Sequence, residues 1–272
     1  MKTERVLLAG CGNMGYAMLA GWINSGKLDP TEALVVEPNA ELRDRAARLG
    51  SRVAASADEI PEGASPELIV LAVKPQVIRD VTADYKRFAG GPTTFLSVAA
   101  GTSVATFEGV LGAQTAVMRC MPNTPASIGK GMMVTFANAR VTGAAKSFVS
   151  DLLSASGKVA TIDDEGLMDA VTAVSGSGPA YVFHFIECLT AAGEKAGLPA
   201  DTAKLLAMQT VYGAACLAAE SSEEPGVLRQ QVTSPNGTTA AALEVLMGGD
   251  RLKDLVGEAV EAARKRSIEL GE

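Results

Sequence analysis

The chain has one histidine, one tryptophan and four cysteines among 272 residues, and aromatic side chains make up only 4% of it. Each scarcity removes a class of function. With one imidazole there is no His/Cys/Asp/Glu cluster at metal-ligand spacing, so no metal is expected. His184 itself sits in the apolar helical run YVFHFIECL and reads as a satisfied or partner-contacting core imidazole, which disfavours a histidine base. Cys11, Cys120, Cys188 and Cys216 are widely spaced with no C-x-x-C pair, fitting reduced thiols in a cytosol rather than a disulfide framework. A catalytic cysteine is a minor alternative.

Long basic and long apolar runs are also missing. Net charge is −7, and the nearest basic cluster, Arg264-Lys265-Arg266, lies in an acidic C-terminal helix, so nucleic acid is not an expected partner. The apolar stretch 203–219 is interrupted by Lys204, Gln209 and Thr210, which excludes a membrane span there. The opening MKTERVLLAGCG reaches its glycines too soon for a signal peptide. A soluble, cytoplasmic protein is expected.

What is abundant is Ala and Gly, so helix contacts should be close and built on small residues. Up to about residue 160, β-rich runs alternate with amphipathic helical patterns, at Arg5–Ala9, Leu34–Glu37, Leu68–Val73, Thr93–Val98, Ala116–Arg119 and Met132–Phe136. That alternation predicts an α/β fold with a parallel, doubly wound sheet. From Asp164 onward the β-type runs fade and helical segments follow at about 167–196, 201–220, 238–247 and 251–270. The expected division is 1–162 and 163–272, at the acidic connection Asp163-Asp164-Glu165-Gly166. SGSGPAYVF, Ser175–Phe183, should break the first of these helical segments with a turn. The later helices carry apolar residues on more than one face, which suggests burial against a second subunit.

Two helix entrances carry the functional signal. VLLAGCGNMGYAML places Gly10, Gly12 and Gly15 between a strand and a helix, the G-x-G-x-x-G arrangement that lets backbone amides approach a pyrophosphate; the alternative is a tight turn with no ligand. Glu37 ends the second strand, where a carboxylate accepts bonds from an adenosine ribose and repels a 2′-phosphate. That favours NADH over NADPH, although Asn39 and Arg43 stand nearby and Glu37 also fits a solvated strand-end charge. Lys74, with Ala72, Val73 and Pro75, ends another strand at the carboxyl edge, either touching the cofactor or facing water.

The second entrance is VTSPNGTTAAALEVL, residues 232–246. Pro235 and Asn236-Gly237 make a turn, and Thr238 or Thr239 can cap the first helix amides. A capping box would place Glu or Gln three residues after the cap, but Ala241 and Ala242 stand there. Free amides, a favourable dipole and hydroxyls then suit an anion from outside.

Taken together, GCGNMG, AVKPQ, MPNTPASIGKG, DAVTAVSGSGPAYVF, QTVYGAA and LRQQVTSPNGTTAAAL resemble the pyrroline-5-carboxylate reductase family from residue 5 to about 247. The resemblance implies a Rossmann-type domain followed by an all-α dimerisation domain, assembled as a homodimer or further as a homodecamer. It also implies reduction of 1-pyrroline-5-carboxylate to L-proline by NADPH or NADH, the last step of proline biosynthesis. Carried over position by position, Gly10, Cys11, Gly12, Asn13, Met14 and Gly15 would hold the pyrophosphate. Ala72, Val73, Lys74, Pro75 and Ala100 would line the cofactor's path, with Asn123 near the nicotinamide unless it is only a turn former. Ser234, Gly237, Thr238 and Thr239 would hold the substrate carboxylate, with Thr239 close to the imine nitrogen as the catalytic hydroxyl. Ser175, Gly176 and Ser177 would form part of the pocket wall, and the two entrances, far apart in sequence, must meet in space. One departure stands out: the family resembled usually has glycine where this chain has Asn236, and Asn tolerates left-handed dihedrals better than most residues.

Two rivals remain. A β-hydroxyacid dehydrogenase shares the two-domain plan but needs a base to remove the alcohol proton, and no lysine follows the glycine-rich turn until Lys195. The other is a non-catalytic NAD(P)-binding protein; an intact anion-binding entrance counts against it.

Overall fold

The computed structural model describes residues 4–271, which form two compact units: 4–177 with 263–271, and 178–262. The first unit is built on one eight-stranded sheet of order β3-β2-β1-β4-β5-β6-β7-β8. The strands are β1 Val6–Ala9, β2 Ala33–Val36, β3 Arg52–Ala54, β4 Leu68–Leu71, β5 Thr94–Ser97, β6 Ala116–Met121, β7 Gly131–Ala137 and β8 Gly157–Thr161. All neighbours run parallel except β6 and β7, which are antiparallel. Strand order reverses at β1, where Leu7 aligns with Leu34 on one side and Ile69 on the other.

Helices cover both faces: α1 Asn13–Asn24, α2 Ala40–Ala47 and α5 Gly143–Ser154 on one, α3 Ile78–Asp84 and α4 Val104–Leu111 on the other. Alternate strand residues enter the two layers. Val6 and Leu8 join Met18, Trp22 and Leu152, while Leu7 and Ala9 join Ile78, Tyr85 and Phe107. A strand buried on both faces reads as a continuous apolar run, which is why β1, β2 and β4 stand out in the sequence. Two strands were not anticipated. β3 pairs only through three residues beginning at exposed Arg52, and β8 is largely half-exposed at the far edge, so neither presents such a run.

The acidic connection is docked rather than free. Glu165 Oε1 accepts hydrogen bonds from the Val104 amide and from Arg119 Nη1, both at 2.7 Å, so it caps α4 and pairs a buried arginine. The first unit therefore continues past residue 162 to 177.

The expected break at SGSGP does not occur. Helix α6, Met168–Val171, runs into a π-helical turn at Thr172–Gly176, and α7, Gly178–Lys195, continues after Ser177, which itself keeps right-handed helical dihedrals. Pro179 stands in the first turn of α7, where a missing N–H costs little, so the proline does not force a turn.

In the second unit α7 is followed by α8, Ala200–Glu220, α9, Pro225–Gln231, and α10, Thr238–Met247. Helix α11, Arg251–Gly271, belongs to it through residue 262, and its last residues belong to the first unit, where buried Ser267 donates to Asp169 Oδ1 at 2.6 Å. Helices α7 and α8 meet through small residues: a Cβ added at Gly193 would stand 3.2 Å from the Ala203 Cβ. Ala203 and Ala207 are the residues α8 buries, whereas Phe183, Phe185, Leu205, Met208, Tyr212 and Leu217 are exposed. His184 is not in the core of this chain. It is exposed on α7, with Nδ1 3.0 Å from Glu187 Oε2 and Nε2 3.6 Å from Cys188 Sγ.

Candidate active site

The glycine loop between β1 and α1 is shaped by close approaches at two of its three glycines. Gly10 has φ 88°, and a Cβ there would stand 2.7 Å from the Ala72 carbonyl oxygen; a Cβ at Gly15 would stand 2.4 Å from the Gly10 carbonyl oxygen. Those two positions hold strand, loop and helix together. Gly12 is different: nothing lies within 4 Å of where its Cβ would be, and its φ of −63° suits any residue. Bareness at Gly12 serves only something that approaches from outside.

That approach is prepared electrostatically. Gly12 is the N-cap of α1, with no side-chain cap and no acidic residue in the first turn. The first intrahelical donor is Tyr16, whose amide bonds the Gly12 carbonyl, so the Asn13, Met14 and Gly15 amides find no acceptor among the described residues. Such an N-terminus suits a pyrophosphate. The loop is clamped by side chains from the next βα unit. Buried Glu37 accepts from the Cys11 amide through Oε2 at 2.7 Å and from the Asn39 amide through Oε1 at 2.9 Å. Arg45 donates Nη2 to the Cys11 and Gly12 carbonyls at 3.0 and 3.2 Å and lies over the Tyr16 ring at 4.0 Å. Arg43 donates to the Glu37 and Pro38 carbonyls.

A cavity of 330 Å³ opens at this edge, lined by Gly12, Asn13, Met14, Ala72, Val73, Lys74, Val98, Met121 and Pro122. It joins the carboxyl ends of β1, β4, β5 and β6 beside the point where strand order reverses, where open α/β sheets bind ligands. Exposed Lys74 is the cation at its rim. Pro75 is not in this cavity; it lines a second one, of 290 Å³, with Gly101, Thr102 and the end of α11. Ala100, half-buried in the turn after β5, lines neither. Asn123 follows Pro122, but its amide is engaged within the protein. Nδ2 donates to the Ser175 carbonyl at 3.1 Å, with Ser175 Oγ at 3.5 Å, and Oδ1 accepts from the Met132 amide at 2.8 Å. Ser175, Gly176 and Ser177 thus lie in the π-helical turn and its exit, half-buried against the end of β6.

The second entrance behaves as its sequence suggests, with one correction. Asn236 has φ 60°, so it occupies the left-handed conformation that glycine otherwise supplies. The Gly237 amide bonds the Ser234 carbonyl at 3.1 Å, closing a turn with Pro at its second position and a positive φ at its third. This turn carries Gly237, not Thr238 or Thr239, into the N-cap of α10, with φ −81° and ψ 171° and no side-chain cap. The two threonines are the first helical residues, and their hydroxyls are not spent on capping. Ser234 and Thr238 are exposed and Thr239 is half-buried. A Cβ at Gly237 would meet Ser234 Oγ at 2.4 Å and the Ser234 carbonyl oxygen at 3.1 Å, so a larger residue there would have to displace the Ser234 hydroxyl.

The thiols near the first entrance are not nucleophiles. Burial pushes Cys11 up to about 11, opposed by Arg45 and reinforced by Glu37, and burial alone pushes Cys120 up to about 12. Both stay protonated near neutral pH, which removes the catalytic-cysteine alternative for them. Among the described residues no cluster of three His, Cys, Asp or Glu could hold a metal ion, and no helix is long and apolar enough to cross a membrane.

A family model described as pyrroline-5-carboxylate reductase dimerisation matches residues 165–270, and one described as NADP oxidoreductase, coenzyme F420-dependent, matches residues 5–101. A pyrroline-5-carboxylate reductase of Pseudomonas aeruginosa is 41% identical over 273 residues, covering 100% of this chain and 98% of its own length. The chain belongs to the pyrroline-5-carboxylate reductase family. The family fold is matched as well: a pyrroline-5-carboxylate reductase of Coxiella burnetii superposes with a TM-score of 0.93 at 35% identity, each chain covered in full. A Plasmodium falciparum pyrroline carboxylate reductase solved with NADP bound gives 0.85 at 30% identity, again with full coverage of both chains.

For this family member, the dinucleotide edge contains residues that sequence reasoning missed. Val98, Met121 and Pro122 line the cavity because β5 and β6 end there. Their signal was positional: Met121 is the last residue of β6, and Pro122 and Val98 directly follow β6 and β5. Arg45 had no such signal, since its two bonds to the loop cross more than thirty residues of chain.

Proposed function

We propose that the chain performs the last step of proline biosynthesis, reducing 1-pyrroline-5-carboxylate to L-proline with NAD(P)H. The bare, uncapped Gly12 entrance at the strand-order reversal is the observation that carries this reading, because a glycine with no internal steric reason fits a cofactor that presses on the loop. The amides of Asn13, Met14 and Gly15 take the pyrophosphate, and Ala72, Val73 and Lys74 flank the cofactor with Met121 and Pro122. When bound, NAD(P)H supplies a hydride to the imine carbon. The nitrogen then needs one proton, and Thr239 carries it: its hydroxyl is free of capping and half-buried, and it is recharged from water. The amides at the start of α10, with Ser234 and Thr238, hold the substrate carboxylate, and Ser175–Ser177 contribute a wall.

The functional division lies at 162/163, supported by the dimerisation model that begins at residue 165. A homodimer, with the homodecamer as its further assembly, fits the exposed Phe183, Phe185, Leu205, Met208, Tyr212 and Leu217 of the second unit. A cytoplasmic location is the reading that four free, widely spaced cysteines support. The test is to mix the purified chain with NADH or NADPH and chemically prepared pyrroline-5-carboxylate, following absorbance loss and proline formation. Turnover with at least one cofactor is expected; none with either overturns the reading.

A further inference from the structure

The helical run 168–195 contains a proline, Pro179, that has no N–H to offer the turn before it. In a continuous helix the residue at 179 would donate to the carbonyl four residues earlier, that of Ser175, but Pro179 has no N–H. The chain adopts a π-helical turn here, with the Ser177 amide bonding the Thr172 carbonyl at 2.8 Å, and such turns within helices recur at functional sites. The Ser175 carbonyl takes its donor from far away in sequence, from Asn123 Nδ2 at 3.1 Å.

The orientation of that amide is fixed by both neighbours. The Ser175 carbonyl only accepts and so requires Nδ2, whereas the Met132 amide only donates and so requires Oδ1, 2.8 Å away. One side chain therefore ties three pieces together. These are the end of β6, where Met121 and Pro122 line the cofactor cavity, the start of β7, and the turn bearing Ser175, Gly176 and Ser177. The turn lies hard against β6: a Cβ at Gly176 would come within 2.5 Å of the Met121 Cε.

We infer that Asn123 is a positioning residue: it holds the Ser175–Ser177 turn against the cofactor cavity through the Ser175 carbonyl, without itself touching the cofactor. This rests on the reductase reading above. Displacing a pocket wall by a fraction of an ångström lowers the chemical step more than it lowers cofactor affinity. Asn123→Ala is expected to reduce kcat about tenfold, with the NAD(P)H dissociation constant, read by fluorescence, within about twofold of wild type. Asn123→Asp keeps the Met132 bond but sets an oxygen against the Ser175 carbonyl, so it is expected to lose kcat even where Asn123→Ala folds poorly. Protonation of that carboxyl restores a donor, so its kcat relative to wild type should rise as pH is lowered.

Unchanged kcat in either Asn123 variant overturns the inference. Cofactor affinity that falls as far as kcat would place Asn123 on the cofactor instead, which also overturns it. An active wild type with those results removes this inference alone, whereas a wild type that leaves pyrroline-5-carboxylate unreduced removes the reductase reading and this inference with it.

Discussion

Helices α1 and α10 begin in the same way, from a glycine N-cap with no side-chain cap and no acidic residue in the first turn. Their surroundings are opposite. The α1 entrance is set between buried strands and clamped by Glu37 and Arg45, and α1 buries Gly15, Met18, Leu19 and Trp22. The α10 entrance is a turn of exposed residues, and α10 buries none of its own. Identical local physics thus yields one helix entrance finished by the sheet beneath it and another that rests on its own turn geometry. A pyrophosphate pressed against a loop needs the first kind of rigidity, while a small carboxylate needs little more than correctly aimed amides.

The sharpest break in this comparison comes from the glycines of the first entrance. Gly15→Ala forces a Cβ to within 2.4 Å of a backbone oxygen, so the loop must shift, at about 1–3 kcal/mol of stability and about 5- to 150-fold in NAD(P)H affinity. Gly12→Ala meets nothing within 4 Å, so thermal stability should stay within about 0.5 kcal/mol while cofactor affinity still falls. Paired melting curves and fluorescence titrations check both. Equal stability losses at Gly12 and Gly15 would mean that Gly12 is bare for internal reasons. At the second entrance the matching experiment is Thr239→Ala, expected to lower kcat/KM by about 1–3 kcal/mol with the cofactor dissociation constant unchanged. Unchanged kcat/KM would take the hydroxyl out of proton delivery.

How much of this was legible depended on whether the cause was local. β1, β2 and β4 are apolar on both faces and their runs are continuous, so the doubly wound sheet could be read directly. Gly10 and Gly15 were legible because their demand is a backbone one, whereas β3 and β8, at the two edges of the sheet, lack a pattern. SGSGP was misread because glycine and proline signal a break only when their lost hydrogen bonds go unanswered. Here the answer is Asn123, 52 positions away. Val98 and Met121 became cavity residues through strand order, which no single strand's sequence contains.

A smaller effect separates the clamp from the reader at Glu37. Both carboxylate oxygens already accept backbone amides, so Glu37→Gln turns an NH2 toward one of two donors and loosens the loop. KM should rise for both cofactors, by about 1–2 kcal/mol in affinity. Loss of the negative charge should in addition move the kcat/KM ratio toward NADPH. A parallel rise with no change in ratio would leave Glu37 as a brace only.

The smallest effect is expected in the turn that precedes α10. At φ 60° Asn236 meets the requirement that glycine meets without a Cβ, and an Asn side chain tolerates that region at little cost. Asn236→Gly should therefore leave kcat, KM and melting temperature close to wild type. Asn236→Ala is the informative partner, because alanine has no side-chain hydrogen bond to support a left-handed residue and should lose about 1 kcal/mol. If the turn only has to deliver Gly237 to the N-cap of α10, that loss should appear as a raised KM for pyrroline-5-carboxylate with the NAD(P)H dissociation constant unmoved. A change in cofactor affinity instead would mean that the two entrances do not divide carboxylate and pyrophosphate between them.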